Sequence, residues 1–386
     1  MRIVVDSDIW GFESLFSPLG EVIPLPGRAI DSAAVRLAEA LIVRSVTRVD
    51  EALLAGSSAR FVGTATSGTD HVDHDYLRRC GIVLADSAGC NARPVVEYIV
   101  ACLFEWRRRT GRALNQSVLG VIGCGRIGRG VAQWGAALGM RVLAVDPLLA
   151  RAGMTGLCTL DQALEEADIV TLHVPLTNDG PDATEGLINA RRLDQMKRGA
   201  WLINAARGRV VVDRDLIAAL NAKQLGGAIL DVWTGEPVVS EDLLRVATLL
   251  TPHIAGYSTG AHRRAAQRIA EELSNWVHGR VDSSRPSGST LKMPLQGMAP
   301  QPIEEVDLRI IESLIRMVCD ISAIDAEYRQ LLRIVSPIAA FDAVRSACRS
   351  RRELTDMVLG PQSSSIEAET LLSAWTASAD DRPALG

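Results

Sequence analysis

Ser117-Val118-Leu119-Gly120-Val121-Ile122-Gly123-Cys124-Gly125-Arg126-Ile127-Gly128 decides the fold. Ser117–Ile122 is a short apolar run of strand type. It is followed by G-x-G-x-x-G and then by a helical pattern that continues through Leu138. By itself the glycine motif is weak. Between a strand and a helix it is the turn that receives a dinucleotide pyrophosphate. Gly123 permits the tight turn, Gly125 lets the backbone approach the phosphates, and Gly128 lets helix and strand pack closely. The helix start, with Arg126 and Ile127, offers unpaired N–H groups to an anion. A second strand, Arg141–Val145, ends in Asp146, eighteen residues beyond Gly128. This is close to the ~20 expected of the acid that accepts the ribose hydroxyls. A carboxylate there repels a 2′-phosphate, so the expected cofactor is NAD rather than NADP.

Outward from this motif the pattern repeats. Ile169–Val174, Ala200–Asn204, Gly227–Val232 and Thr248–Thr251 read as buried strands, separated by helical stretches at Leu160–Ala167, Arg191–Met196 and Asp213–Asn221. Such alternation predicts an α/β fold with a doubly wound parallel sheet, a Rossmann domain. A helix is expected from Ala92 to about Arg109, with Pro94 in its first turn. Upstream, Arg2–Val5, Leu41–Arg44, Phe61–Thr64 and Val83–Ala85 read as strands, with helical patterns at Asp31–Glu39 and Asp50–Leu54. These form a second α/β layer. Residues 282–302 read as a linker, and an apolar unit follows it.

Three charged residues follow strands of the Rossmann half: Arg207, Glu236 and His253. Carboxyl ends of strands face the ligand crevice in this architecture, so all three are expected at one place. An imidazole can take the proton of an alcohol as hydride leaves. A carboxylate can hold that imidazole and favour its cation. A guanidinium can clamp a substrate carboxylate bidentately. Arg44, Ser45 and Thr66, at the ends of early strands, supply a cation and hydroxyls suited to a phosphorylated hydroxy acid.

The composition limits the alternatives. The 386 residues suffice for two or three domains. A net charge of −5 argues against non-specific nucleic-acid binding. No apolar run is long enough for a membrane span, and the N-terminus does not read as a signal peptide. Seven scattered cysteines, an odd number without CxxC spacing, suit a reducing cytoplasm. His71 and His74 are the one close histidine pair and read as loop residues; no metal site is expected. Trp201 and Trp233 read as core, Cys124 as a space-filler in the glycine loop, and Cys90 as part of a shaping loop rather than a nucleophile.

Gly120–Gly128, Asn204–Gly208, Asp231-Val232-Trp233-Thr234-Gly235-Glu236-Pro237 and Thr251-Pro252-His253-Ile254-Ala255-Gly256 together resemble the D-isomer-specific 2-hydroxyacid dehydrogenase family. The resemblance implies that Arg207, Glu236 and His253 are catalytic. One branch, which oxidises 4-phospho-D-erythronate to 3-hydroxy-2-oxo-4-phosphooxybutanoate in vitamin B6 synthesis, is similar at Val43–Thr47, Phe61–Asp73, Gly89–Ala92 and His253–Tyr257. Phe341-Asp342 and Arg351-Arg352-Glu353 resemble that branch's dimerisation domain. By this analogy Ser45, Thr66 and Tyr257 contact substrate, while Asp146, Val174, Ala205, Ala206, Arg207, Asp231 and Gly256 line NAD. The implied organisation is a split flavodoxin-like substrate domain (1–92 and 256–284), an NAD-binding domain (93–255) and a C-terminal α+β dimerisation domain (285–386). Substrate and NAD are expected in the cleft between the first two, in a homodimer. Four departures from the pattern stand out: Ser67 for a small Ala, Ala206 for a common Cys, Val174 for a usual Thr, and a divergent tail after Gly360. Another hydroxyacid dehydrogenase, such as one for 3-phosphoglycerate, remains the alternative. An NAD-sensing co-repressor scaffold is the alternative from outside enzymology.

Overall fold

The computed structural model describes residues 1–280, 305–354 and 356. By its contacts the chain forms two units. One joins Met1–Asn91 to the segment that begins at Ser258. The other joins Ala92–Tyr257 to the described C-terminal residues.

In the first unit, β1 (Arg2–Asp6), β2 (Glu21–Leu25), β3 (Ala40–Val43), β4 (Phe61–Thr64) and β5 (Val83–Asp86) form a sheet of order β2-β1-β3-β4-β5. Every pairing is parallel. β3 and β4 are buried throughout, as expected where helices cover both faces. Leu41, Val43 and Val62 pack with Leu53, Leu54 and Leu77 on one face. Ile3, Ile42 and Phe61 pack on the other against Ile269 and Leu273 of the helix Thr259–Val277. That helix returns to complete the unit, and Ser258 caps it by accepting from the Ala261 N–H at 2.9 Å.

Two local expectations change here. β2 is an additional strand. It lies at the sheet edge, where Pro24 needs no ladder partner. The helix expected over Asp31–Glu39 is only Ser32–Val35, because the chain must already enter β3 at Ala40.

The second unit contains β6 (Val118–Ile122), β7 (Arg141–Val145), β8 (Ile169–Leu172), β9 (Trp201–Asn204), β10 (Gly227–Leu230) and β11 (Leu249–Leu250) in the order β11-β10-β9-β8-β6-β7. All pairs are parallel, which is the doubly wound sheet read from the sequence. The chain steps outward from β6 to β7 and then crosses back to β8, so the order reverses between β6 and β8. This is the switch point at which such folds bind ligands. The register places Val145, Ile122, Leu172, Asn204, Leu230 and Leu250 in one row. Every loop of interest therefore leaves the sheet at one level. β8, β10 and β11 are shorter than expected because His173, Asp231 and Thr251 already belong to those loops.

The helix Ala92–Thr110 is buried almost all round from Pro94 to Trp106. A helix that is apolar on every side needs cover on every side. The C-terminal helices Glu305–Val318, Ile321–Leu331 and Pro337–Cys348 share its core: Ile311, Ile315, Tyr328, Phe341 and Val344 cluster with Ile99, Leu103 and Trp106. Asp325 accepts from the Leu250 N–H at 2.8 Å and so covers the edge strand β11. The sequence reading sets residues 285–386 apart, but the described part of that region groups with the nucleotide-binding sheet because it supplies this cover. Only helices are found there among the described residues, where an α+β unit was expected. The expected linker and the tail after Gly360 lie outside the described residues. No helix among those described is long and apolar enough to cross a membrane.

Candidate active site

The glycine loop is built from three different constraints. Gly123 has φ 93°, and a Cβ on it would lie 2.7 Å from the His173 carbonyl oxygen. It must therefore be glycine on conformational and steric grounds alike. A Cβ on Gly128 would lie 1.8 Å from the Gly123 oxygen, so helix and loop touch backbone to backbone. A Cβ on Gly125 would meet nothing within 4 Å. That residue faces open space at the start of the helix Arg126–Ala137, which has no side-chain cap. An uncapped helix start beside a glycine open to solvent fits a pyrophosphate.

Asp146 ends β7 beside this loop. Its carboxylate accepts from the Cys124 N–H at 2.9 Å and the Leu149 N–H at 3.0 Å. Each oxygen retains a lone pair for a ribose hydroxyl. Val174 packs against the Gly123 position, which explains an apolar residue there. Cys124 is fully buried, and burial pushes its thiol up to about 12, so it fills space and is not reactive. The residues present thus fit NAD. Asp146→Ala is expected to weaken NAD roughly tenfold or more, through loss of hydrogen bonds to a charged group, and to narrow the preference over NADP. Fluorescence titration with both nucleotides checks this; an unchanged ratio assigns ribose reading to another residue.

Arg207, Glu236 and His253 stand beyond the ends of β9, β10 and β11. His253 Nδ1 lies 2.7 Å from Glu236 Oε2. Glu236 Oε1 accepts from the Trp233 N–H at 3.1 Å, which fixes the carboxylate's other end. With an acceptor at Nδ1, the neutral imidazole carries its proton there and presents the Nε2 lone pair. The His253 side chain is 40% exposed, so that nitrogen can be reached.

His253 is one of two non-glycine residues with positive φ among those described, at 55°. Such a backbone persists only where its surroundings over-determine it. Asp231 provides part of that constraint. It is 1% exposed, and it accepts from Thr251 Oγ1 at 2.6 Å and from the Ile254 and Ala255 N–H groups at 2.8 Å each. Burial pushes its carboxyl up to about 6. Its oxygens thereby also anchor the loop that carries His253.

Arg207 sits in a turn held by Asn204, whose side chain donates to the Arg207 carbonyl at 3.0 Å and accepts from the Ala206 N–H at 3.0 Å. A Cβ on Gly208 would lie 2.0 Å from the Trp233 oxygen, so this turn rests directly on the Glu236 loop. The structure therefore brings together the loops of Arg207, Glu236 and His253, with Ala205 and Ala206 at the end of β9 and Gly256 just beyond His253.

Arg44 and Ser45 follow β3, and Thr66 follows β4, in the first unit. Arg44 donates to Asp6 at 2.9 and 3.2 Å and to Asp8 at 2.6 Å, so its charge is largely offset by carboxylates. Ser45 is exposed. Thr66 Oγ1 lies 2.7 Å from Thr64 Oγ1 and donates to the Gly68 carbonyl at 2.9 Å. Ser67 Oγ lies 2.6 Å from Asn91 Oδ1 and 3.1 Å from the Ser87 carbonyl, and its one hydroxyl proton serves either acceptor, which gives the hydroxyl at this position a structural use. His71 and His74 bond to Thr64 and Thr69.

Residues 100–255 match the family profile described as D-isomer specific 2-hydroxyacid dehydrogenase, NAD binding domain. An erythronate-4-phosphate dehydrogenase of Salinibacter ruber is 41% identical over 92% of each chain. One of Escherichia coli O157:H7 is 39% identical over 92% of this chain and 93% of its own. The chain belongs to the D-isomer-specific 2-hydroxyacid dehydrogenase family, in its erythronate-4-phosphate dehydrogenase branch. Among solved structures, a D-lactate dehydrogenase from Aquifex aeolicus, complexed with NAD and lactic acid, superposes with a TM-score of 0.62. It is 27% identical and covers 72% of this chain and 96% of its own.

Tyr328 and Arg345, which no motif marks, pack against residues that the motifs contain. Trp233 donates from Nε1 to the Val238 carbonyl at 2.8 Å, stacks on Tyr328 at 6.1 Å and meets Phe341 edge-on at 5.9 Å. Arg345 stacks on Tyr257 at 5.1 Å and donates to its hydroxyl. These contacts join the loops after β10 and β11 to helices more than seventy residues away in sequence.

Proposed function

We propose that this chain oxidises 4-phospho-D-erythronate to 3-hydroxy-2-oxo-4-phosphooxybutanoate with NAD, a step of vitamin B6 synthesis. The observation that carries this is the His253–Glu236 contact, in a chain that resembles erythronate-4-phosphate dehydrogenases along 92% of its length. NAD, when bound, supplies the acceptor for the C2 hydride. His253 Nε2 takes the C2 hydroxyl proton, and Glu236 holds the imidazole and balances the charge it gains. Arg207 binds the substrate carboxylate and orients the C2 oxygen. Asp146 accepts the ribose hydroxyls, and the first-turn N–H groups after Gly125 receive the pyrophosphate. Ser45, Thr66 and Tyr257 offer hydroxyls to the substrate. With Nε and Nη2 of Arg44 on Asp6 and Asp8, its Nη1 is the donor proposed for the substrate.

The decisive assay follows nicotinamide absorbance with 4-phospho-D-erythronate and with 3-phosphoglycerate, adding a 2-oxo acid in parallel to recycle the cofactor. Selective turnover of the first supports the reading. Selective turnover of the second keeps the mechanism and replaces the substrate. Silence with both, in folded protein that binds NAD, favours a scaffold.

The C-terminal region is further proposed to pair two copies of the chain. Ile310, Met317, Ile334 and Ile338 are 46%, 68%, 69% and 50% exposed, an unusual concentration of large apolar groups. Truncation before this region is a poor test, since its helices also complete the core. Ile334→Glu combined with Ile338→Glu is expected to yield folded monomers by light scattering; an intact dimer would refute the role. The seven cysteines are all free thiols, which supports a reducing, cytoplasmic setting.

A further inference from the structure

The segment Arg351-Arg352-Glu353 has no part in the mechanism above, yet Arg351 is only 8% exposed. Its Nη2 donates to the Ala255 carbonyl at 3.0 Å and to the Pro94 carbonyl at 2.9 Å, and its Nη1 donates to Cys319 Sγ at 3.0 Å. Ala255 is two residues beyond His253. Its N–H is held by Asp231, and its carbonyl by Arg351. The loop carrying His253 is therefore clamped from both sides. Asp231 grips its N–H groups, and a guanidinium from the C-terminal region grips its carbonyl. The left-handed φ of 55° at His253 is the feature that requires such a clamp.

The charges around Arg351 support a dedicated seat. Glu97 is fully buried and accepts from the Leu354 N–H at 2.7 Å; Glu353 is 1% exposed and lies 3.5 Å from Arg93. A guanidinium suits the seat because its planar fork reaches several acceptors that diverge in space, which a lysine ammonium cannot do at once.

We propose that Arg351 is a positioning residue for catalysis: it holds the Ala255 carbonyl and thereby keeps His253 in the conformation that meets Glu236. This rests on the acid–base reading of the His253–Glu236 pair, not on the identity of the hydroxy acid.

The test uses full-length protein, with Arg351→Lys and the double variant Arg351→Met with Glu97→Gln. The lysine variant keeps the buried charge. The double variant removes the guanidinium together with a carboxylate it faces. Arg351→Lys is expected to lose about tenfold in kcat with KM and NAD affinity within twofold. The double variant is expected to lose more and to recover part of its kcat when guanidinium ion is added. The His253 imidazole signals in ¹H–¹⁵N spectra, assigned by their loss in His253→Gln, are expected to shift in both. Folded variants with wild-type kcat and unshifted His253 signals would overturn the proposal. So would a rise in KM at constant kcat. Failure of even Arg351→Lys to fold would also overturn it, since the role would then be structural. Wild-type protein inactive on 4-phospho-D-erythronate but active on another 2-hydroxy acid rejects the substrate alone, and the variants are then compared on that acid. If wild type turns over none, the imidazole signals still decide.

Discussion

His253→Ala is expected to lower kcat by about 10²–10⁴-fold, the range for removing a positioned general base, while NAD affinity stays within about twofold. The reasoning is geometric. His253 Nδ1 is engaged by Glu236 at 2.7 Å, so Nε2 is the one nitrogen that can take a substrate proton. The nucleotide cradle is built from β6, β7 and the Gly123–Gly128 loop, and the loop bonds to Val145, Asp146 and the helix start. Substitution should therefore spare the cradle. Glu236→Gln is expected to be milder, because the amide can still accept from Nδ1–H yet no longer balances the imidazolium. Steady-state kinetics beside NAD titration separates these effects. A His253→Ala enzyme with near-normal kcat would remove the histidine from the reaction.

The second large effect is expected from a single methyl group. Gly128→Ala places a carbon 1.8 Å from the Gly123 oxygen and 2.9 Å from its carbonyl carbon. Both partners are backbone, so no side chain can turn aside. The helix start must retreat from the loop, at a cost of about 3 kcal/mol or more. Retreat also dissolves the cradle. We therefore expect a clear fall in Tm together with loss of NAD binding. Gly125→Ala is the contrasting case. Its Cβ meets nothing within 4 Å, so stability should change by less than about 1 kcal/mol, while NAD binding weakens because the methyl stands where the pyrophosphate approaches. Thermal unfolding with and without NAD distinguishes the two. Equal destabilisation by both substitutions would contradict the different roles assigned to these glycines.

The alternation of strands and helices was legible because parallel sheets bury both faces and therefore show near-continuous apolar runs. The place of Asp146 beside the glycine loop was legible because an acid is expected at a set distance after that motif. The extra strand β2 was not, since an edge strand carrying Pro24 lacks the composition of a central one. The motif around Asp231 marks a residue that matters, but only the structure shows that its oxygens also hold the His253 loop. Arg44 is similar: its position was clear, yet its pairing with Asp6 and Asp8 needs residues some thirty-eight positions away.

The sequence by itself marked the doubly wound sheet, the nucleotide loop, and Arg207, Glu236 and His253 as candidates for one place, because local pattern and residue chemistry act over short distances along the chain. Tertiary structure alone decided three further points. It aligned the strand ends in one row, so that three loops open at one level. It brought Glu236 and His253 to 2.7 Å. It set Trp233 against Tyr328 and Phe341, and Ala255 against Arg351. Each of these is a contact between residues far apart in sequence. Such contacts are specified by packing and register across the whole fold, and no periodicity or spacing along the chain encodes them.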